Sequence, residues 1–152
     1  MTKHSILFIG LDTHKDYTEI AYINEGRTSQ AMHLGKIATN KQAFTKLVRQ
    51  FQSKHPGSTL YFVYEAGPCG YWIYRHLCKL GQDCFIVAPS LIPKKPGNRV
   101  KTDKRDAIML AKLLKMEMPT LFLSPNLKTK LSVIYLDAGK VPCMISTMLN
   151  TD

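Results

Sequence analysis

The chain has 152 residues, 45% of them hydrophobic, which is ample for one packed domain and leaves no room for a second. Its 21 Lys and Arg against 11 Asp and Glu give a formal charge of +10, an excess that points to a polyanion, nucleic acid first, with a merely solvated basic surface as the plain alternative. No apolar run approaches the roughly 20 residues of a membrane span and no secretory cleavage site is evident, so a cytoplasmic protein without a membrane partner is expected.

Ser5 to Leu11 (SILFIGL) is a nearly unbroken apolar run, the pattern of a central strand covered on both faces. Tyr17 to Ile23 (YTEIAYI) and a weaker segment around Gln30 to Leu34 follow, divided by the turn residues Asn24-Glu25-Gly26, which predicts a three-stranded meander. Asn40 caps a helical pattern with Phe44, Leu47, Val48 and Phe51 on one face, closing near His55-Pro56-Gly57. Leu60 to Tyr64 (LYFVY) reads as a second buried strand. Gly67-Pro68 opens a helix running to about Leu80, with Gly81 as its stop, and Cys84 to Val87 is the fifth strand. A Pro-rich basic stretch then leads into a last helix from about Thr102 to Lys115, with Glu117 beyond its final turn. The order is three strands, helix, strand, helix, strand, loop, helix. It matches an α/β, RNase H-like (RuvC-like) mixed five-stranded sheet with flanking helices.

Cys69, Cys78, Cys84 and Cys143 show neither zinc-ligand spacing nor a disulfide framework and read as reduced, mostly buried thiols. The acids are more informative. Asp12 ends the central strand and Glu65 ends the next buried strand. If those strands are parallel neighbours, both carboxylates open into one crevice at their carboxyl ends. Asp103 and Asp106 start the last helix on the stripe that continues through Ala107, Leu110 and Leu114, and so are aimed at the sheet. Four acids brought together repel unless a divalent cation joins them, and hard oxygen ligands suit Mg²⁺ or Mn²⁺. Each also has a plain explanation: Asp103 and Asp106 as a helix cap and its partner, Asp12 as a turn residue, Glu65 as the mate of a lysine.

Lys94, Lys95, Arg99, Lys101, Lys104 and Arg105 lie just ahead of and within this acidic turn, placed to grip phosphates beside the metal. A solvated charge run is the alternative. His14 could contact a scissile phosphate, but reads better as a solvent-facing turn residue. Of Tyr71, Trp72 and Tyr74, which could stack on a base, at least two are expected in the core.

The strings GLDTHK (Gly10 to Lys15), YEAGPCGYW (Tyr64 to Trp72) and KTDKRDAIMLA (Lys101 to Ala111) resemble the three blocks of the DEDD-type insertion-sequence transposases related to the Piv invertase, over roughly Ile6 to Pro125. The resemblance implies a RuvC-like domain at 1–125 whose tetrad, Asp12, Glu65, Asp103 and Asp106, binds Mg²⁺ and acts on DNA. It also implies a second domain with a nucleophilic serine, a structured guide RNA, and homo-oligomers of full-length members. The serine domain is expected to be absent from these 152 residues, so that the chain alone does not transpose; the rival expectation is a catalytically silent nucleic-acid-binding remnant. An actin-like kinase lobe, whose first strand also ends in G-x-D, is disfavoured because no second Gly-rich phosphate loop is present.

Residues 126–152 diverge from the family pattern: the tail is apolar, contains Gly and Pro, and lacks helical amphipathicity where a charged helix is expected. The genetic code permits Ser132 to Asn150 to be re-read in a shifted frame as a charged, Arg-rich stretch, so a frameshifted tail is expected. Sequencing the gene beyond codon 130 should reveal an open shifted frame; a stop codon at once in that frame would make the tail native.

Overall fold

A computed structural model describes residues 5–65, 67, 71–87 and 103–123, and the side chains of all of these except 103 and 117–123. The elements are β1 (Ile6–Thr13), β2 (Tyr17–Asn24), β3 (Met32–Ala38), α1 (Lys41–Lys54), β4 (Thr59–Glu65), α2 (Trp72–Lys79), β5 (Asp83–Val87) and α3 (Asp103–Leu123). They build a five-stranded sheet in the order β3-β2-β1-β4-β5. The first three strands pair antiparallel, while β4 joins β1, and β5 joins β4, in parallel. This is the RNase H-like arrangement that the element order predicts. No helix among the described residues is long and apolar enough to cross a membrane.

Strand alternation divides the apolar side chains between two cores. Leu7, Ile9 and Leu11 of β1, with Phe62 and Tyr64 of β4, face α1 and α2 and meet Phe44, Leu47, Phe51, Ile73 and Leu77. Phe8 of β1, Val63 of β4 and Phe85 of β5 face the other way and pack under Leu110, Ala111 and Leu114 of α3. The central strand is therefore apolar at every position up to Leu11 because helices cover both of its faces. Asn40 caps α1 as predicted, its side-chain oxygen accepting from the Ala43 amide at 2.8 Å.

Three boundaries differ from the sequence expectation. The third strand lies at Met32–Ala38, not around Gln30 to Leu34. It is an edge strand with few buried positions, and a register shift opposite Ile20 and Ala21 breaks the alternation that would have located it. Helix α2 begins at Trp72 rather than at Gly67-Pro68, where its apolar periodicity starts and the poor helix formers end. Helix α3 continues to Leu123 and includes Glu117. The strong helix formers after Leu114 favour its continuation, and Pro119 lies inside it despite the lost backbone N–H and the crowding that a proline ring brings to a helix interior.

The contact between α3 and β1 is unusually close. A Cβ built on Gly10 would lie 2.1 Å from the Ala107 carbonyl oxygen and 2.7 Å from the Ala111 amide nitrogen. Both obstacles are helix backbone, which no rotamer change can clear. Gly10→Ala is therefore expected to cost about 3 kcal/mol, the upper end of overpacking, and to lower Tm by roughly 6–12 °C in a calorimetric melt. An unchanged Tm would show that α3 does not seat on the strand in this way.

Candidate metal centre

Asp12 and Glu65 each follow the last paired residues of neighbouring parallel strands, Leu11 and Tyr64. Leu11 and Tyr64 face α1 and α2, so the next residue in each strand faces α3. Neighbouring strands lie about 4.8 Å apart, which sets the two carboxylates side by side at the carboxyl edge of the sheet. Asp12 is buried, with 9% of its surface exposed, and Glu65 is half-buried.

Helix α3 completes this edge. Ala107 and Ala111 sit over Gly10, while Leu110 and Leu114 reach back along the core that includes Phe8, so the amino end of the helix extends towards Asp12. Asp106 is half-buried with its Oδ2 enclosed. The backbone of Asp103 opens the helix, and its side chain lies outside the described residues. Lys104 and Arg105 are exposed in the same turn. Lys94, Lys95, Arg99 and Lys101 also lie outside the described residues. Three of the four candidate acids are thus placed on one side of the sheet at one end. Among the described residues, no group of three or more His, Cys, Asp and Glu is arranged to hold a metal ion.

Sequence reasoning missed the surroundings of Asp12. His14 is not a free turn residue: its Nε2 lies 3.0 Å from Asp12 Oδ2, and its ring stacks on Tyr17 with centroids 4.5 Å apart. Thr39 braces the turn, its hydroxyl donating to the His14 carbonyl at 2.8 Å and meeting the Thr18 hydroxyl at 2.9 Å. Lys36 lies over the other end of this group, its Nζ 4.6 Å from the Tyr17 ring centroid.

The same lysine approaches Glu19 Oε2 at 3.9 Å, and His33 Nε2 hydrogen-bonds Glu19 Oε1. Glu19 is the register partner of Asp12 across β1 and β2, and only 4% of it is exposed. A fifth carboxylate therefore stands behind the candidate tetrad, held by His33 and Lys36. The signal was legible: a single acid inside YTEIAYI, a strand otherwise patterned for burial, needs a cationic neighbour.

The other candidates resolve simply. Trp72 packs edge-on against Phe44, and Trp72 and Tyr74 lie against the core, whereas Tyr71 is half exposed. Cys78 and Cys84 are free thiols. Burial pushes the Cys84 thiol well above the ordinary cysteine range, with Cys78 and Asp83 adding to the effect, so it is no nucleophile.

The DEDD transposase family of IS110 type, described as "Transposase", matches residues 9–133. A Sinorhizobium fredii protein named as a transposase, y4qE, is 44% identical over 108 residues, 71% of this chain and 27% of that protein. The transposase for insertion sequence element IS1533 of Leptospira borgpetersenii is 35% identical over 109 residues, 72% of this chain and 31% of its own length. The pilin gene-inverting protein of Moraxella lacunata is 31% identical over 124 residues, 76% of this chain and 36% of its own. The chain thus spans about a third of the length of these relatives.

Removing His33 would leave the buried Glu19 carboxyl with Lys36, at 3.9 Å, as its cationic partner among the described residues. Breaking a fully buried pair costs about 3–5 kcal/mol; because His33 is partly exposed, His33→Ala is expected to cost roughly 2 kcal/mol. The measurement is the urea midpoint at neutral pH. No loss of stability would mean that Glu19 is carried by groups other than this pair.

Proposed function

The chain belongs to the DEDD transposase family of IS110 type, and from that premise we propose that it is a metal-dependent, DNA-binding domain acting in DNA transposition in the cytoplasm. Asp12, Glu65, Asp103 and Asp106 would hold the ion. The donor set fits it: four carboxylates offer only hard oxygen ligands, the type that Mg²⁺ and Mn²⁺ take. A divalent ion held there would stabilise the attacking and leaving oxygens of an in-line phosphodiester displacement. Exposed Lys104 and Arg105, with Lys94, Lys95, Arg99 and Lys101 preceding them in the chain, would neutralise the phosphates of the strand entering this edge.

The observation that carries the reading is the shared direction of Asp12 and Glu65 on neighbouring parallel strands, under the amino end of the helix that bears Asp103 and Asp106. DNA as substrate is supported by the relatives' names, two as transposases and one as a gene-inverting protein. Since the chain matches about a third of those proteins, complete strand exchange would require the remainder of such a protein.

A second reading, a catalytically silent nucleic-acid-binding remnant, is favoured by the lack of any metal-holding group of three among the described residues. Calorimetric titration with Mn²⁺ separates the two. Binding is expected in the parent chain, and Asp12→Asn or Asp106→Asn should weaken it at least about tenfold, a loss seen even when only the outer partners of a ligand are changed. A parent chain that takes up no Mn²⁺ would leave the remnant as the correct description.

A further inference from the structure

Helices α1 and α2 cover the sheet face opposite the carboxylates and carry Lys41, Lys46, Arg49, Lys54, Arg75 and Lys79 without one Asp or Glu in either helix. All six cations are exposed, and among the described residues none of them makes an ion pair. Lys41, Lys46 and Arg49 line one open groove together with Gln42 and Thr45. Thr45 meets His76 at 2.9 Å and ties α2 alongside.

This is not how a helix stabilises itself. Lys41 stands at the amino end, where the helix dipole disfavours a cation. Lys46 and Arg49 are neighbours of like charge three apart, where an acid would have stabilised the helix. A solvated face has no need to exclude acids from both helices. A polyanion lying across them offsets each of these costs.

We infer that the α1–α2 face is a second binding surface for the phosphate backbone of duplex DNA, separated by the whole sheet from the strand at the carboxylate edge. Helix α1 offers charge and hydrogen bonds only: Gln42, Gln50, Gln52 and Ser53 stand among its cations and no aromatic side chain of α1 is exposed, while α2 adds one half-exposed ring, Tyr71 at its start, where a stacked strand would use several. Unpaired strands are held by stacking bases on aromatic rings. A duplex, which keeps its bases inside, is held at its phosphates by Lys, Arg, Gln and Ser. From Lys41 to Lys54 the helix spans about 20 Å, which is enough to follow several consecutive phosphates. The choice of DNA rests on the function proposed above; the surface itself uses none of the candidate metal ligands. Its role would be to hold a flanking or second duplex while the reacting strand lies at the opposite face.

The test uses the 152-residue chain in EDTA and the anisotropy of a labelled duplex two to three helical turns long, across a salt series. For the triple variant Lys41→Gln, Lys46→Gln, Arg49→Gln, affinity at low salt should fall at least about tenfold, and the slope of log K against log salt should decrease by about 2–3, near 0.9 for each lost phosphate contact. Arg49→Gln alone, and the pair Arg75→Gln with Lys79→Gln, should shift the slope in the same direction by less. Far-UV circular dichroism checks that each variant is folded. The Mn²⁺ titration of the parent chain tests the metal reading and uses none of these substitutions, so the two readings fail separately. An unaltered slope in the folded triple variant overturns the proposal, as does a parent chain that does not bind the duplex. A duplex RNA of equal length that binds more tightly and suffers the same loss overturns the assignment to DNA.

Discussion

The approach of the α3 backbone to Gly10 is the constraint on which the remaining architecture depends. A helix normally rests on a sheet through its side chains, at a distance set by their bulk. Here a glycine in the strand faces two alanines in the helix, and the helix sinks until its own carbonyl and amide occupy the space of the absent Cβ. Leu110 and Leu114 fill the flanks against Phe8, Val63 and Phe85, which prevents the seat from sliding. Two residues beyond Gly10 on the same face stands Asp12, and one residue before Ala107 stands Asp106. A packing contact thereby sets the height at which the Asp106 end of α3 stands over β1.

Charge is segregated across the sheet to match. The face under α3 holds the buried or half-buried acids Asp12, Glu19, Glu65 and Asp106, whereas the helices on the other face hold cations and no acid. Among the described residues, these four carboxylates lie towards the carboxyl ends of β1 and β4, whereas half-buried Asp83 lies at the amino end of β5. Glu19 and Asp12, opposite each other across β1 and β2, would repel at that depth. The group of His14, Tyr17, Lys36 and His33 separates their charges, tying Asp12 to one histidine and Glu19 to another, with Lys36 over the ring between them. Glu19 thus belongs to the electrostatic setting of the candidate tetrad without being a member of it.

The fold was readable where one physical cause dominates the local pattern. SILFIGL and LYFVY are apolar throughout because both faces are covered, and the α1 stripe is clean because one face packs and the other is wet. Reading failed where two causes overlap. The β3 pattern mixes edge exposure with a register shift, so its alternation gives no fixed phase. Proline usually stops a helix, yet Pro119 lies inside α3 because the residues before it favour the helix strongly. At the site, Asp12 and Glu65 were legible from their positions at strand ends. Glu19 was overlooked although a lone acid in a buried strand marks it, and the partners of both His14 and Glu19 were hidden because a one-dimensional pattern carries no register. The nearness of α3 to β1 was also hidden: Gly10 reads as the ordinary glycine of a G-x-D string until the helix is placed upon it.

The first turn of α3 shows how one short segment can serve both an ion and a polyanion. Ala107 faces Gly10, Asp106 beside it is half-buried, and Lys104 and Arg105 are exposed. Within DKRD the Asp106 carboxyl is thus turned inward while the two cations stand in solvent. Were the helix rotated by one residue, a cation would face Asp12 and neutralise it, and the acids would repel any phosphate that approached. The rotation is fixed by the backbone of Ala107 and Ala111 seated over Gly10, where the strand has no Cβ to hold the helix off. The sign of the field that a nucleic acid meets at this edge is therefore set by a steric contact between residues that carry no charge.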